Sequence, residues 1–157
     1  MIPRLLAILV FVLSGLTSVR AEEMDFEYGP RPANSIFDPL GVLDSGALGK
    51  ITSPMQKLRE KEGIDIVVVV LDDLKGAPPE HVAGRFAAAW SGSLIRAVVL
   101  HVPGNPDSPW IVPGGELTDL LHPEAIARDT SRGKRLASYE PTEAGKVRVA
   151  VEEASDR

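Results

Sequence analysis

Ile64-Asp65-Ile66-Val67-Val68-Val69-Val70-Leu71 is the stretch on which the fold turns. Four consecutive valines are stiff at χ1, poor in a helix and well suited to a pleated strand. Gly63 stands before the run and Asp72-Asp73 after it, so both ends carry turn chemistry. The run is apolar on both faces, and a strand of that kind needs a helical layer above and below its sheet. The expected fold class is α/β, a three-layer α/β/α sandwich around a mostly parallel sheet with one antiparallel hairpin strand.

Upstream, Ile36-Phe37-Asp38-Pro39-Leu40-Gly41-Val42-Leu43 reads as a turn packed on the domain edge, and Asp44 or Ser45 as a helix start. Leu48, Ile51, Met55 and Leu58 step by three, four and three, which lines them on one helical face closed by Gly63. Pro54 falls inside this pattern and predicts a kink, or a regular part delayed until Pro54 itself.

Downstream, Gly76-Ala77-Pro78 belongs to a crossover loop and Pro79 opens a second helix. Val82, Ala83, Phe86, Ala87 and Trp90 share its inner face, and Ser91-Gly92-Ser93 ends it. Ile95 to Val102 is the second strong strand, so strand, helix and strand predict a right-handed crossover between parallel neighbours. The turn formers between Pro103 and Pro109 return Trp110-Ile111-Val112 antiparallel beside it, and Pro113 stops it. Gly114-Gly115, a short helical turn from Glu116 to Leu121, a weakly amphipathic third helix from Pro123 to Lys134 and a last helix near Pro141 complete the chain. In that last helix Ala144, Val147, Val151 and Ala154 again step by three, four and three.

The 157 residues are 44% hydrophobic and 25% charged, a composition suited to one globular domain. A net charge of −5 gives no electrostatic footprint for nucleic acid or anionic lipid. The absence of cysteine excludes disulfides, thiol nucleophiles and thiolate zinc sites. Arg4, the apolar run from Leu5 to Leu13 and Val19-Arg20-Ala21 form the pattern of a secretory signal peptide over residues 1–21, shorter than the ~18 apolar residues of a membrane span. Its removal leaves 15 basic against 22 acidic residues, a charge of −7. Residues 22–34, with Pro30 and Pro32, read as a linker or extended arm, and residues 35–157 as the domain. The expected location is extracytoplasmic, periplasmic or secreted, with no nucleic-acid partner and no direct membrane span after cleavage.

The Phe37-Asp38-Pro39-Leu40-Gly41-Val42-Leu43-Asp44 entry, the Gly63 to Val70 strand and the helix ending Phe86-Ala87-Ala88-Ala89-Trp90 resemble the TPM domain family. The Ala97 to Val102 strand, the hairpin, Gly114-Gly115-Glu116-Leu117 and a terminal helix after Ser138-Tyr139-Glu140 follow that family's order. The family takes its name from thylakoid-lumen and photosystem II repair proteins and receptor-associated membrane proteins. The resemblance implies an α/β/α sandwich, usually exported and often tethered by a transmembrane helix. It also implies calcium binding in some relatives and acid phosphatase activity in a plant member. Where the family pattern carries Asp-Asn-Gly before the second strand, this chain has Ile95-Arg96-Ala97, and Gly-x-Gly-x-Glu is shortened to Gly114-Gly115-Glu116. No apolar run near Arg157 is long enough for the tether, which is expected to be missing.

Open α/β sheets gather ligands outside the carboxyl ends of their strands, where Asp72 and Asp73 fall. With Asp38 and Glu116 these carboxylates form a candidate oxygen site for Ca²⁺ or Mg²⁺; adjacent aspartates after a strand are also ordinary solvated loop chemistry. His81, His101 and His122 stand at no motif spacing with a serine or carboxylate, and His101 on its strand reads as a core or sheet-edge histidine. Gly114-Gly115 suits a tight turn or an anion-binding amide pair, and Arg132, Lys134 and Arg135 a solvated helix end or a phosphate contact. Two functions are expected from these residues. One is an exported non-catalytic binding or accessory domain, acting in the cell envelope or a membrane-bounded lumen and meeting an envelope or membrane protein through the Trp110 hairpin and the proline-bearing arm. The other is a Ca²⁺- or Mg²⁺-assisted acid phosphatase.

Overall fold

The computed structural model of the chain describes residues 29–90, 92–115 and 123–156; the signal-peptide segment, the first part of the arm, Ser91, and the turn expected at Glu116 to Leu121 lie outside them. Four strands, β1 (Ile36–Phe37), β2 (Ile64–Val70), β3 (Leu94–His101) and β4 (Trp110–Pro113), form one sheet in the order β1-β2-β3-β4. β1, β2 and β3 run parallel, and β4 returns antiparallel to β3 with Val99 opposite Ile111. Four described helices accompany it: α1 (Ser45–Glu62), α2 (Pro79–Ala89), α3 (Pro123–Ala137) and α4 (Glu143–Ser155).

The two-sided burial of β2 is literal. Ile66, Val68 and Val70 join α1 and α4 in one core, while Val67, Val69 and Leu71 join α2 in the other. This alternation is the period-two pleat of a strand placed between two helical layers. Both crossovers, β1-α1-β2 and β2-α2-β3, step the same way across the sheet, yet their helices lie on opposite faces. They therefore have opposite hands, and the right-handed rule describes only one of them.

Helix α1 starts where Asp44 caps it, its carboxylate accepting the Ala47 N–H at 2.8 Å, and ends at Gly63 in the left-handed region. It runs unbroken through Pro54, so the delayed start does not occur: the capped first turn is already fixed nine residues upstream of the missing N–H donor. Helix α4 is capped by Thr142, which leaves Pro141 just outside it. Helix α3 is longer and more two-faced than its spacing suggests. Gly133 lies so close to β4 that a Cβ there would stand 2.3 Å from Ile111 Cδ1, while Arg132 pairs with the buried Glu153 of α4 and Lys134 with the exposed Asp107. Trp110, expected on the surface, is half-buried against the α2 core.

The one acid inside β2 organises the amino end of the sheet. Asp65 Oδ2 accepts from Arg31 Nη2 at 2.7 Å and from Ser93 Oγ at 2.6 Å, and Oδ1 accepts from Arg59 Nε. Arg31 also donates to Ser93 Oγ and the Trp90 carbonyl, and the Trp90 indole donates to the Gly29 carbonyl at 3.1 Å. Residues 29–34 of the arm are thus docked through a buried charge. Burial alone pushes the Asp65 carboxyl up; the Ser93 hydrogen bond and the Arg59 and Arg31 guanidiniums outweigh it and hold the pKa below its ordinary value. A depressed folded-state pKa gives stability that is complete above the unfolded value near ~4 and lost as pH falls through the folded one. Asp65→Asn is expected to cost about 3 kcal/mol at pH 7, as breaking a buried pair does, with the gap from wild type shrinking below pH ~4 in urea titrations.

Candidate functional site

The carboxyl ends of β1, β2 and β3 bring Asp38, Asp72, Asp73 and His101 to one edge of the sheet. Asp38 spends both oxygens on the loop that enters α1, accepting the N–H of Val42 at 3.2 Å and of Leu43 at 2.7 Å. Asp72 accepts the Asp73 N–H at 2.9 Å, and Asp73 accepts that of Lys75. These are turn-forming bonds of side chain to local backbone. Glu116 lies outside the described residues. Among the described residues, no three His, Asp or Glu side chains stand together as a metal-binding group. The structure therefore places three of the four expected ligands at or near one edge without assembling them.

What the edge does assemble is a chain of side chains around His101, which is wholly buried. Its Nδ1 lies 2.6 Å from Ser108 Oγ, in the hairpin loop, and its Nε2 lies 2.9 Å from Glu143 Oε2, in the first turn of α4. The serine hydroxyl also accepts the Val102 N–H at 2.8 Å, so it ties the end of β3 to the hairpin loop through two contacts. The Nε2 contact has ion-pair distance but lies off hydrogen-bond geometry, so Nε2 and Oε2 are buried without a hydrogen-bond partner. Glu143 Oε1 accepts from Lys146 Nζ at 2.8 Å.

Burial pushes the His101 pKa down, and the neighbouring Glu143 charge only partly offsets it, so the ring is held neutral. Burial raises the Glu143 carboxyl, but the Lys146 ammonium and the Gly104 N–H outweigh it and hold its pKa below the ordinary value. A serine, a histidine and a carboxylate in series are the parts of a nucleophilic relay. Here Ser108 is only 7% exposed and His101 is wholly buried, and the series links β3, the hairpin loop and α4.

The spacing of residues 101, 108 and 143 carries no motif. The signal that points to them is a histidine within a strand otherwise apolar on both faces, since a buried polar group must find partners. Gly114-Gly115 is also settled by packing. Gly114 N–H donates to the Arg96 carbonyl at 2.9 Å, and a Cβ on Gly114 would stand 1.8 Å from the Ile95 carbonyl oxygen, so close backbone approach requires this glycine.

At the other end of β3, Ile95 is buried in the α2 core and Arg96 pairs with Glu62 at 3.7 Å. Beside them lies a groove of about 570 Å³ between α2, the start of β3 and Gly115.

Among known proteins, the family model of the TPM domain matches residues 36–132 of the chain. The solution NMR structure of the N-terminal domain of the cg2496 protein from Corynebacterium glutamicum is similar in fold, with a TM-score of 0.61, 17% identity, and 82% of each chain covered. No curated protein matches the chain.

A neutral buried imidazole has a folded-state pKa below its unfolded value near ~6.5, so its stabilisation is complete above that value and drains away as pH falls through the folded one. His101→Gln is expected to unfold about 1–3 kcal/mol more easily at pH 7, with the gap narrower at pH 5. Urea denaturation at the two pH values checks this, and an unchanged gap contradicts it.

Proposed function

Because the chain belongs to the TPM domain family, we propose that it is an exported accessory domain that works by binding rather than by catalysis, its partner an envelope or membrane protein. The observation that carries this reading is the environment of Ile95-Arg96-Ala97. Where the family pattern implies an aspartate before this strand, Ile95 packs into the α2 core and Arg96 faces Glu62. A cation that polarises a phosphoryl oxygen needs carboxylates free to hold it. The acids at the opposite edge are engaged with backbone amides, and His101 is closed in.

Export is supported by the positive start at Arg4, the apolar run from Leu5 to Leu13 and the small residue Ala21. No described helix is long and apolar enough to cross a membrane. The exposed large apolar side chains among the described residues are Leu40, Leu136 and Tyr139, the last at 79% exposure beside the basic end of α3. They replace the Trp110 hairpin as surface for a partner. The family's other activity, metal-assisted phosphomonoester hydrolysis, would have to rest on Asp72 and Asp73.

Hydrolysis of a generic phosphomonoester from acid to mildly alkaline pH, with Ca²⁺, Mg²⁺ or chelator, separates the two. The expected result is no turnover above that of the Asp72→Asn/Asp73→Asn double variant in any condition. Metal-dependent turnover abolished in that variant would overturn the binding reading and put the site at the end of β2.

A further inference from the structure

Helix α3 and the turn after it, residues 123–139, carry Arg128, Arg132, Lys134 and Arg135 against Glu124 and Asp129. That is a local charge of +2 in a chain of −5, so the other residues sum to −7. Both acids precede Thr130, and the charged residues of the second half of the helix are all basic. Arg128, Arg132 and Arg135 step by four and three, which sets them on one helical face, and all three are exposed. The opposite face meets the fold: Thr130 Oγ1 donates to the Ile111 carbonyl, and Gly133 and Ala137 are buried. The Tyr139 N–H donates to the Leu136 carbonyl and the Glu140 N–H to that of Ala137, so the last turn continues and Tyr139 stands exposed four residues beyond Arg135.

The acids around this stripe are engaged elsewhere or at its edge. Glu153 is buried and faces Arg132 at 3.5 Å, Asp107 takes Lys134, and Arg148 holds Glu140 and Glu152 at 3.0 and 2.7 Å. Arg128 and Arg135 pair with no acid among the described residues. Three guanidiniums thus stand along ~10 Å of helix on a molecule whose remainder is acidic.

We propose that this outer face of α3 docks an acidic segment of a protein partner, its carboxylates on Arg128, Arg132 and Arg135 and an apolar side chain against Leu136 and Tyr139. The proposal rests on the binding reading above and supplies the partner's chemistry. Guanidinium forks take a carboxylate through two bonds at once, and arginine and tyrosine are the residue types that carry binding energy at protein interfaces. An anionic membrane fits this surface less well. A plane of charge meets everything within a screening length of ~8 Å, including Glu140 beside Tyr139 and the acids of α4, whereas a narrow segment meets the stripe alone. Two exposed apolar side chains also make a small anchor compared with the broad apolar face of an interfacial helix.

The probe is a fluorescent random copolymer of glutamate and tyrosine, its anisotropy read against the full gene product as recovered from an exporting host. Binding is expected at low salt and is expected to weaken towards ~0.15 M. Arg128→Glu with Arg135→Glu is expected to weaken it at least about tenfold. Lys50→Glu with Lys57→Glu, two exposed positions on α1, makes the same charge change at the same spacing and is expected to weaken it less than about threefold. Tyr139→Ala is expected to weaken it about threefold with the salt dependence unchanged. No binding by the wild-type chain overturns the proposal, as does an equal loss in the two double variants. Tighter binding to phosphatidylglycerol vesicles than to the copolymer, lost in the Arg128→Glu/Arg135→Glu variant, overturns it in favour of a membrane surface. Phosphomonoester turnover removes the binding reading itself, whereas absent copolymer binding without turnover removes this surface alone.

Discussion

Burial of β2 on both faces is the constraint from which the rest of the molecule follows. Six of its seven residues are buried, and every apolar one at even and odd positions alike needs a packed layer to receive it. At roughly 1.5–3 kcal/mol for each apolar side chain removed from water, neither face can be left open. The layers are supplied by α1 and α4 on one side and α2 on the other. The same burial makes Asp65 costly: an ionised carboxylate in this strand is tolerable only with partners, and two arginines and two serines converge on its surroundings. A burial requirement thereby becomes a positional one, drawing the arm, the end of α1 and the start of β3 to a single point.

The two ends of the sheet solve the same problem with different chemistry. At the amino end a buried anion is neutralised by cations from outside the sheet, and the network ties in Arg31, distant in sequence from Ser93. At the carboxyl end a buried histidine stays neutral and is held by a hydroxyl and a carboxylate from two later segments. Both ends lose stability in acid, Asp65 by protonation of the anion and His101 by protonation of the neutral ring. Their pH windows differ because their unfolded pKa values differ by more than two units, about 4 against about 6.5.

The layered architecture was legible because it rests on local periodicity. The four valines, the three-four-three steps of α1 and α4, and the turn formers before Trp110 each state their own geometry without reference to distant residues. The candidate site was much less legible. Asp38, Asp72 and Asp73 attract attention as carboxylates in loops, yet a short acidic side chain in a loop bonds its own backbone at least as readily as a cation. Ser108 and Glu143 gave no signal, since their partner His101 is 7 and 42 residues away and the contact exists only after the hairpin and α4 have folded back. Arg31 sits in a stretch too poor in apolar residues to read as packed, and its role follows only from the charge it meets. In both cases the readable clue was the other partner, a lone polar residue in an apolar strand.

The departures from the TPM pattern converge in space. Ile95 stands where the pattern implies an aspartate, and Gly115 belongs to the shortened glycine motif; the two lie side by side at the groove beside α2. A carboxylate at position 95 would bring charge, water and a use for a cation to that end of the sheet. Isoleucine brings an apolar wall instead, continuous with the methyl groups of Ala87 and Ala88. Arg96 does not restore the lost chemistry, because it turns to Glu62 at the end of α1. Replacing one acid by an apolar residue removes from this end of the sheet a charge that could hold a hydrated cation. A surface of that kind rewards contact area and shape.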